Sequence, residues 1–454
     1  AIGTGGRDLH EEVGAITTLD AIAALEEHDP TDVILMISKP PAKSVRDKVL
    51  KALQSLSKPA VAIFLGEKPT EHEGNVALAY TLEEARIAVD LANGEQVKEN
   101  YTQPLDFEVE TVLPEGKTVK GLYSGGTLAN EAATLIADAL NLGCIQSDHG
   151  YILNTNGFEV MDLGDDVYTQ GKPHPMIDPE VRVNKLNEVL EDETTGVILL
   201  DVVLGYGSHP DMAGALAPSI KEALDKAEKS GRELYVIGSV VGTEQDPQGL
   251  EATVKTLEEA GVIVAPSNEH AIRYALKLMG KEVEFPKKKF VDYVGEKITL
   301  PKISDTTSDL INNPPRVINI GIKSFTEPIL EFGGEALQFT WRPRAGGNKK
   351  LIRILNELDK RADEIETANE KVVERLVNAQ PIGKDVRPGY ELIPELNTDE
   401  KIILHAGPPI KWENMTGPMQ GSCVGAMLFE EWATDEEDAR EQLGSGEVKF
   451  IPCH

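Results

Sequence analysis

Residues 121–130, which read GLYSGGTLAN, decide the fold of this chain. A short apolar run enters this stretch and the helix-forming run 131–140 leaves it, so the order predicts a strand, a glycine turn and a helix. Free backbone N–H groups in such a turn point outward at the positive end of the helix, where a phosphate or carboxylate is stabilised. The amides concerned belong to Ser124, Gly125, Gly126 and Thr127. A plain strand-to-helix turn capped by Thr127 would show the same pattern, and both interpretations stay open at this point.

Most of the chain alternates short apolar runs with amphipathic helical stretches. Before the glycine turn, the runs 33–38 and 59–66 accompany helical stretches at 11–26 and 43–57. After it, the apolar runs are 121–124, 159–164, 196–205, 234–242 and 261–267. The helical stretches between them begin at Glu131, Glu180, Ala213, Leu250 and Asn268. Strands that are apolar throughout and linked by helices are typical of a parallel sheet buried on both faces. The sequence therefore predicts an α/β fold.

Polar, proline-containing segments divide the chain into three predicted regions. Residues 94–120 and 281–315 lack a helical period and are interpreted as linkers. They separate a first α/β domain at 1–97, a second at 120–280 and a C-terminal α/β region at 316–454. A chain of 454 residues has the length expected for about three domains.

Loops at the carboxyl ends of the predicted strands carry the unusual chemistry, as ligand sites of open α/β sheets do. In the first domain, the loops 5–8, 38–41 and 66–69 should lie together. In the C-terminal region, two arginines beside two glycines form a candidate anion clamp. The predicted phosphate-binding or substrate-binding residues are Gly5, Gly6, Arg7, Ser124, Gly125, Gly126, Thr127, Gly242, Thr243, Arg342 and Arg344.

His174 lies between two prolines that fix its loop, with Lys172 and Asp178 nearby. We predict that His174 and Asp178 are catalytic. His174 would act as a general acid or as a donor to a developing negative charge. A loop histidine that is hydrogen-bonded to the main chain is the alternative.

Other polar residues have simpler interpretations that compete with binding. A surface ion pair with Asp8 is the alternative for Arg7, although the flanking glycines favour anion binding. For Asp246 we prefer the structural interpretation, in which it caps a helix whose first residue is Pro247. The acidic run 435–438 is typical of the solvated start of a helix.

The balance of charges limits the partners of this chain. With 76 acidic and 45 basic residues, the formal net charge of −31 repels nucleic acid and anionic membranes. Small anionic substrates remain the expected ligands, where local donors outweigh the global field. No apolar run is long enough to cross a membrane, so no membrane partner is predicted.

The chain ends and the cysteines indicate the context of the protein. The first residues lack both a methionine and the pattern of a signal peptide, and the last form an apolar run, so we expect a longer natural chain. The three cysteines have no CxxC spacing and form an odd number. This pattern favours a reducing cytoplasm, without disulfides or a structural zinc site.

Several established motifs are absent from the sequence. There is no HExxH or comparable ligand spacing, so no metal site is predicted. Walker A and GxGxxG motifs are missing, so no nucleotide motif is visible. In YSGGT the serine precedes the glycines, which argues against the elbow of a serine hydrolase. We therefore predict that the chain requires no cofactor.

Seven segments, in one order along the chain, resemble a known family. They are GGRDLHEEVG, SKPPAKSVRDKVLKAL, GLYSGGTLANEA, DLGDDVYTQGKPHPMIDP, LLDVVLGYG, GTEQDP and WRPRAGGNKKL. Across residues 1–360 the chain resembles the FdrA family, relatives of succinyl-CoA synthetase. Residues 361–454, with ANEKVVERL and LHAGPPIKWENMTGPMQGSCVGAMLFEEWA, resemble the start of YlbE, which is usually encoded beside FdrA. The resemblance implies an FdrA–YlbE fusion without the N-terminal CoA-binding-like domain of FdrA and without most of YlbE.

The resemblance implies two flavodoxin-like ligase domains of the succinyl-CoA synthetase type. The first is akin to the synthetase α subunit and the second to the C-terminal domain of the β subunit. In the synthetases, a GHAGA loop carries a phosphohistidine. The corresponding stretch here, residues 66–77, reads GEKPTEHEGNVA, in which His72 comes too early and the glycine pattern is broken. This departure argues against acyl-CoA synthesis driven by ATP.

The resemblance also implies a function. The FdrA and YlbE families are associated with oxamate carbamoyltransferase in allantoin breakdown, where carbamoyl phosphate and oxamate give oxalurate and phosphate reversibly. We predict this transfer, with phosphate at 124–127 or Arg7, carbonyl polarisation by His174, and carboxylate binding by Arg342 or Arg344. An acyl-CoA synthetase, which would use CoA or ATP, is the second hypothesis. A non-catalytic scaffold is the third. The rest of YlbE and further subunits are the expected protein partners.

Overall fold

The computed structural model describes residues 1–105, 112–143 and 148–453. Cys144, one of the three cysteines, and His454, the last residue of the sequence, lie outside the described residues. The chain divides into two compact units, Ala1–Arg342 and Pro343–His454. None of the helices in the described part of the chain has the length and apolarity that crossing a bilayer requires.

The first unit contains thirteen strands and eleven α-helices in its described residues. The strands are β1 (Ile34–Ser38), β2 (Ala60–Phe64), β3 (Glu71–Glu73), β4 (Val76–Ala79), β5 (Thr118–Tyr123), β6 (Tyr151–Thr155), β7 (Phe158–Asp162), β8 (Thr195–Val203), β9 (Tyr235–Val241), β10 (Ile263–Ala265), β11 (Lys289–Val291), β12 (Arg316–Ile320) and β13 (Glu335–Phe339). The helices are α1 (Ile16–Glu27), α2 (Lys43–Gln54), α3 (Arg86–Ala92), α4 (Gly126–Leu140), α5 (Asp166–Thr169), α6 (Glu180–Glu191), α7 (Met212–Lys229), α8 (Leu250–Glu259), α9 (Asn268–Leu278), α10 (Asp305–Asn312) and α11 (Thr326–Glu331). The predicted α/β class is confirmed.

The first sheet has the strand order β1-β2-β4-β3-β11. Its interior strand β2 is buried at every position, as the continuous apolar run 59–66 predicts. One boundary differs from the prediction. The segment 281–315 is more than a linker, because it supplies the edge strand β11, which pairs in parallel with β3. From the same segment, Ile298 and Leu300 pack against the core of the first sheet.

The second sheet has the order β10-β9-β8-β5-β7-β6 and contains all five strands that the sequence predicts. Its five parallel strands follow the flavodoxin-like order, in which the connections reverse direction between β5 and β8. Strand β6 was not predicted from the sequence. It forms an antiparallel hairpin with β7 through Asn156 and Gly157, whose φ angles of 53° and 83° suit the Asn-Gly turn of a hairpin.

Helix α4 packs against the loops of the first sheet. The Tyr80 hydroxyl donates to Asp138 Oδ2 at 2.5 Å, and the Leu82 amide donates to Glu131 Oε1 at 2.6 Å. The three loops predicted to lie together do so. The Leu65 amide donates to the Ser38 carbonyl at 3.0 Å, and the Ala42 amide donates to the Leu9 carbonyl at 3.1 Å.

Residues 316–342 belong to the first unit, so the predicted C-terminal region at 316–454 crosses a boundary between units. The cause is packing against the loop after β8. A Cβ on Gly207 would lie 2.6 Å from the ring of Phe325. The rings of Tyr206 and Phe332 meet edge to face, with centroids 6.4 Å apart.

The second unit is built on one pair of parallel strands covered by helices. Its strands are β14 (Lys401–His405) and β15 (Val448–Pro452). Its α-helices are α12 (Lys349–Asp359), α13 (Ala362–Asn378), α14 (Gly389–Leu392), α15 (Gly417–Phe429) and α16 (Glu436–Ser445). Asp435 caps α16 through the Asp438 amide at 3.0 Å, which confirms the predicted helix start at 435–438. Met427, Ala439 and Leu443 are central to the core of this unit.

His72 is buried in β3, with 4% of its surface exposed, and its Nδ1 accepts a hydrogen bond from the Leu78 amide at 3.1 Å. Burial, with a smaller effect of Lys288, lowers the pKa of His72 to about 4, while Glu84 acts in the opposite direction. Because the pKa of His72 in the folded state is below its unfolded value, the unfolded chain binds the proton first. The free energy of unfolding is therefore unaffected by His72 above pH 6.5 and decreases as the pH falls towards 4.

We predict that His72→Gln removes part of the acid sensitivity of the fold. Between pH 7 and pH 4.5 the wild-type free energy of unfolding should fall by about 2 kcal/mol more than that of the variant. Urea unfolding at the two pH values measures this difference. The exposed His28 provides the control, since His28→Gln should keep the wild-type dependence on pH. Equal pH dependence in His72→Gln and the wild type would contradict the prediction.

Candidate active site

The switch point of the second sheet is held by a buried ion pair. Asp201 lies in β8 and Arg182 on α6, and they are 1% and 3% exposed. Arg182 Nη2 donates to Asp201 Oδ1 at 3.2 Å and also to the Asp201 carbonyl. The same carboxylate accepts the Ser124 amide at 2.8 Å and the Ser124 hydroxyl at 2.5 Å. Removing one partner of such a buried pair is costly, so the end of β5 is firmly tied to β8.

This tie decides which amides of the glycine turn face outward. The Ser124 N–H is occupied by Asp201, so its predicted role in binding an anion is wrong. Helix α4 begins at Gly126 with Gly125 as its N-cap and without a side-chain cap, so the alternative of capping by Thr127 is also wrong. Within the described residues, no acceptor is recorded for the amides of Gly125, Gly126 and Thr127. These amides are the first donors at the positive end of α4.

The φ angle of Gly126 is not positive, so backbone conformation does not explain the glycine. A close approach of neighbouring side chains does. A Cβ at this position would overlap Lys39 Nζ and Asp162 Oδ2. Lys39 follows β1 of the first sheet, so the first sheet contributes a cation to the start of α4. By contrast, a Cβ on Gly125 would meet no atom within 4 Å, so the space beside its amide is open.

Asp162, at the end of β7, lies between the cation and the next loop. Its Oδ2 is 3.7 Å from Lys39 Nζ, and its Oδ1 accepts the Gly164 amide at 3.0 Å. Burial raises the pKa of Asp162, while Lys39 and the Gly164 amide oppose the increase. The side chain of Lys39 is 49% exposed and that of Asp162 is 9% exposed, so the cation faces solvent.

His174 reaches the same place from the loop before α6. Its Nδ1 accepts the Met176 amide at 3.2 Å, and its Nε2 would lie 2.6 Å from a Cβ on Gly164. Burial lowers the pKa of His174, although Asp162 and Asp201 act in the opposite direction. A neutral ring that accepts at Nδ1 carries its proton on Nε2, which lies on the side of Gly164. We call the group of Lys39, Asp162, His174 and the amides of 125–127 the glycine-turn site.

Asp178 does not share the predicted role of His174. Its carboxylate accepts the Glu180 amide at 2.8 Å, at the first residue of α6. Its only recorded bond to His174 runs between backbone atoms, from the Asp178 amide to the His174 carbonyl at 3.0 Å. The prediction that Asp178 is catalytic is wrong, because its side chain, two residues ahead of the first residue of α6, bonds the first amide of that helix instead.

Gly5, Gly6 and Arg7 lie at the rim of the same edge. Arg7 Nη2 is 3.7 Å from Asp166 Oδ2, and both side chains are almost fully exposed. The alternative pairing with Asp8 is wrong, because Asp8 is buried and accepts the Thr18 amide at 2.8 Å. Arg7 therefore does form a surface ion pair, with Asp166 in place of Asp8, and its role in anion binding stays a prediction.

Residues of the loop after β9 form hydrogen bonds with one another. The Thr243 amide donates to Asp246 Oδ2 at 2.6 Å, so the predicted role of Thr243 in binding is wrong. The capping role of Asp246 is wrong too, because α8 begins at Leu250 with Gly249 as its N-cap. A Cβ on Gly242 would lie 2.6 Å from Leu204 Cβ, so this glycine serves close packing.

The predicted arginine clamp is divided by the boundary between units. Arg342 is the last residue of the first unit and is exposed. Arg344 belongs to the second unit, where Nη2 donates to Asp359 Oδ1 at 2.8 Å. The carboxylate of Asp359 therefore already takes the place that a substrate carboxylate would need on Arg344.

A cavity of about 530 Å³ opens between the loops of the first sheet and helix α4. Its wall includes Pro40 and Gly66 from the first sheet and Asn130 and Thr134 from α4. Asn130 Nδ2 donates to the Gly126 carbonyl at 2.6 Å, so the cavity begins one helical turn from the glycine turn. A small acceptor molecule fits in such a volume.

Sequence reasoning missed Lys39, Asp162, Asp201 and Arg182. A signal existed for Asp201, because a carboxylate within the apolar run 196–205 must be paired when buried. For Lys39 the sequence indicated only its loop, 38–41, since its neighbour Asp162 comes from another sheet.

Comparison with known proteins agrees with the fold of the second sheet. Residues 122–278 match the CoA-ligase family. The part of the chain that forms most of the second sheet is thus similar to a CoA-ligase domain.

The chain is also similar to three proteins of Escherichia coli (strain K12). It is 40% identical to the uncharacterized protein YahF over 59% of this chain and 54% of YahF. It is 36% identical to the uncharacterized protein YahG over 33% of this chain and 31% of YahG. It is 56% identical to the oxamate carbamoyltransferase subunit AllG over 19% of this chain and 20% of AllG. The matches span about half the length of YahF and less of the other two.

Among solved structures, a match is an acetyl-coenzyme A synthetase 1 of Ca. Korarchaeum cryptofilum in complex with phosphate and ADP. Its identity is 13%, its TM-score is 0.24, and the match covers 56% of this chain and 54% of that chain.

We predict that Gly126→Ala destabilises the first unit by about 1–3 kcal/mol, because the added Cβ displaces Lys39 and the buried carboxylate of Asp162. Gly125→Ala is the matched control. It adds the same methyl group in open space at a φ of −164°, so it should change stability by less than about 0.5 kcal/mol. Urea unfolding of both variants measures the difference. Equal stabilities of the two variants would refute the close approach at Gly126.

Proposed function

We propose that this chain forms part of an enzyme that makes or breaks the bond between a carbonyl carbon and phosphate. The observation that carries the proposal is the set of outward amides at 125–127 beside the ammonium group of Lys39. Backbone donors at a helix N-terminus together with a cation suit a phosphate group. Acyl phosphates and carbamoyl phosphate both contain this bond.

A reaction of the acyl-CoA synthetase class is the first candidate. The match of residues 122–278 to the CoA-ligase family supports it. In this reaction the sulfur of CoA attacks the carbonyl carbon of an acyl phosphate, and phosphate leaves. CoA and a nucleotide would then be required.

Carbamoyl transfer to oxamate is the second candidate, and two observations favour it. One is the similarity of part of the chain to the oxamate carbamoyltransferase subunit AllG. The other is the burial of His72, which leaves that imidazole unable to carry a phosphate at the protein surface. In carbamoyl transfer the nitrogen of oxamate attacks the carbamoyl carbon and loses a proton, the bond from carbon to the phosphate oxygen breaks, and oxalurate and phosphate form. No phosphorylated enzyme is needed.

The glycine-turn site supplies the groups that either reaction needs. The amides of 125–127 and Lys39 would hold the phosphate and stabilise it as it leaves. The Nε2–H of His174 would donate to the carbonyl oxygen as that oxygen gains negative charge. Asp162, whose pKa is raised by burial, would accept the proton of the attacking nitrogen or sulfur.

The fusion of an FdrA-like part to a YlbE-like part stays a prediction, as do the further subunits and the cytoplasmic location. A scaffold role remains the alternative to catalysis.

Two assays on the same preparation distinguish the candidates. The chain, with any subunits that copurify, is given carbamoyl phosphate and oxamate, and oxalurate is measured. It is also given ATP, CoA and acetate or succinate, and release of ADP is measured. Oxalurate alone supports carbamoyl transfer, and ADP alone supports the synthetase reaction. Absence of turnover in both assays would contradict the proposed enzymatic function.

We predict that Lys39→Met raises the KM for the phosphate-bearing substrate about tenfold, which corresponds to about 1.4 kcal/mol. The ammonium group is lost while most of the side-chain volume remains. Lys255→Met, at an exposed position of α8, is the control and should keep the wild-type KM. An unchanged KM in Lys39→Met would remove Lys39 from the site.

A further inference from the structure

A second group of polar side chains lies where the first sheet meets the start of α9. Glu83 comes from the turn after β4, and Glu269 and His270 come from the first turn of α9. Each of these three side chains offers one potential ligand atom, and the three atoms lie within 4.8 Å of one another. None of them belongs to the glycine-turn site.

Only one of the two carboxylate oxygens of Glu269 has a hydrogen-bond partner within the described residues. This residue is 2% exposed, and its Oε1 accepts a hydrogen bond from Arg273 at 3.0 Å. Its Oε2 is buried and has no hydrogen-bond partner within the described residues. Leaving a carboxylate oxygen buried without a partner costs several kcal/mol. Such an atom in a folded protein is therefore expected to carry a proton or to bind a cation.

Negative charge is in excess around this group. The neighbouring Glu131 is also buried, and its two oxygens accept the Leu82 amide at 2.6 Å and Asn268 Nδ2 at 2.8 Å. Three glutamates therefore converge with two arginines, since Arg273 pairs with Glu269 and Arg86 lies 3.2 Å from Glu83.

We propose that Glu83, Glu269 and His270 bind a divalent transition-metal ion that links the first sheet to helix α9. Two carboxylates and an imidazole are a ligand set that manganese and zinc ions accept. His270 Nδ1 lies 3.0 Å from the Ser267 hydroxyl, and this contact would hold the imidazole ring in place. The ion would satisfy Glu269 Oε2 and hold two layers of the first unit together.

The test uses the whole chain, stripped with a chelator and dialysed. Mn²⁺ and Zn²⁺ are titrated separately by calorimetry, and the thermal unfolding temperature is recorded with and without each ion. We expect binding of one ion per chain and a rise in the unfolding temperature on binding. Glu269→Gln keeps the shape but weakens the ligand, so it should reduce the affinity at least tenfold. Glu258→Gln, at an exposed position of α8, should bind as the wild type does.

A second variant covers the case in which Glu269→Gln does not fold. Glu83→Gln changes a ligand whose side chain is 15% exposed and lies on a surface turn, and it should also reduce the affinity at least tenfold. Failure of the wild type to bind either ion would overturn the proposal and leave a shared proton as the partner of Glu269. Equal affinity in the wild type and in a folded ligand variant would overturn it as well.

Discussion

The ion pair between Asp201 and Arg182 is the constraint on which the candidate active site depends. Both groups are buried at the switch point of the second sheet, where neither would be stable alone. By taking the amide and hydroxyl of Ser124, Asp201 fixes the chain just before α4. The following amides are thereby directed outward, and Gly126 is brought against Lys39 and Asp162. The first sheet thus completes a site that the second sheet begins.

This arrangement explains how a chain with a formal net charge of −31 can hold an anion. Charges on the protein surface are screened within about 8 Å at physiological ionic strength, so the global field weakens with distance. Backbone amides and a nearby ammonium group act at contact distance and need no reorganisation. The neutral imidazole of His174 adds a donor without adding a charge to the site. A cavity of about 530 Å³ beside the turn leaves room for a second reactant.

The sequence predicts the elements well where local patterns decide them. The five parallel strands of the second sheet, the glycine turn and the loops that meet at the sheet edge follow from apolar runs and turn residues. Predictions fail where a side chain has a local partner that the pattern does not reveal. Thr243 is engaged by Asp246, Arg344 by Asp359, and Asp178 by the start of α6. The sequence indicates the loop 38–41 that contains Lys39 but not its pairing, because its partner Asp162 lies in another sheet.

A crystal structure of the chain grown with phosphate or sulfate tests the central claim most directly. The account predicts an anion within hydrogen-bond distance of the amides of Gly125, Gly126 and Thr127, with Lys39 Nζ in contact. It would be contradicted by a structure in which these amides bind only protein acceptors, or in which the anion occupies other sites while the glycine turn stays without one.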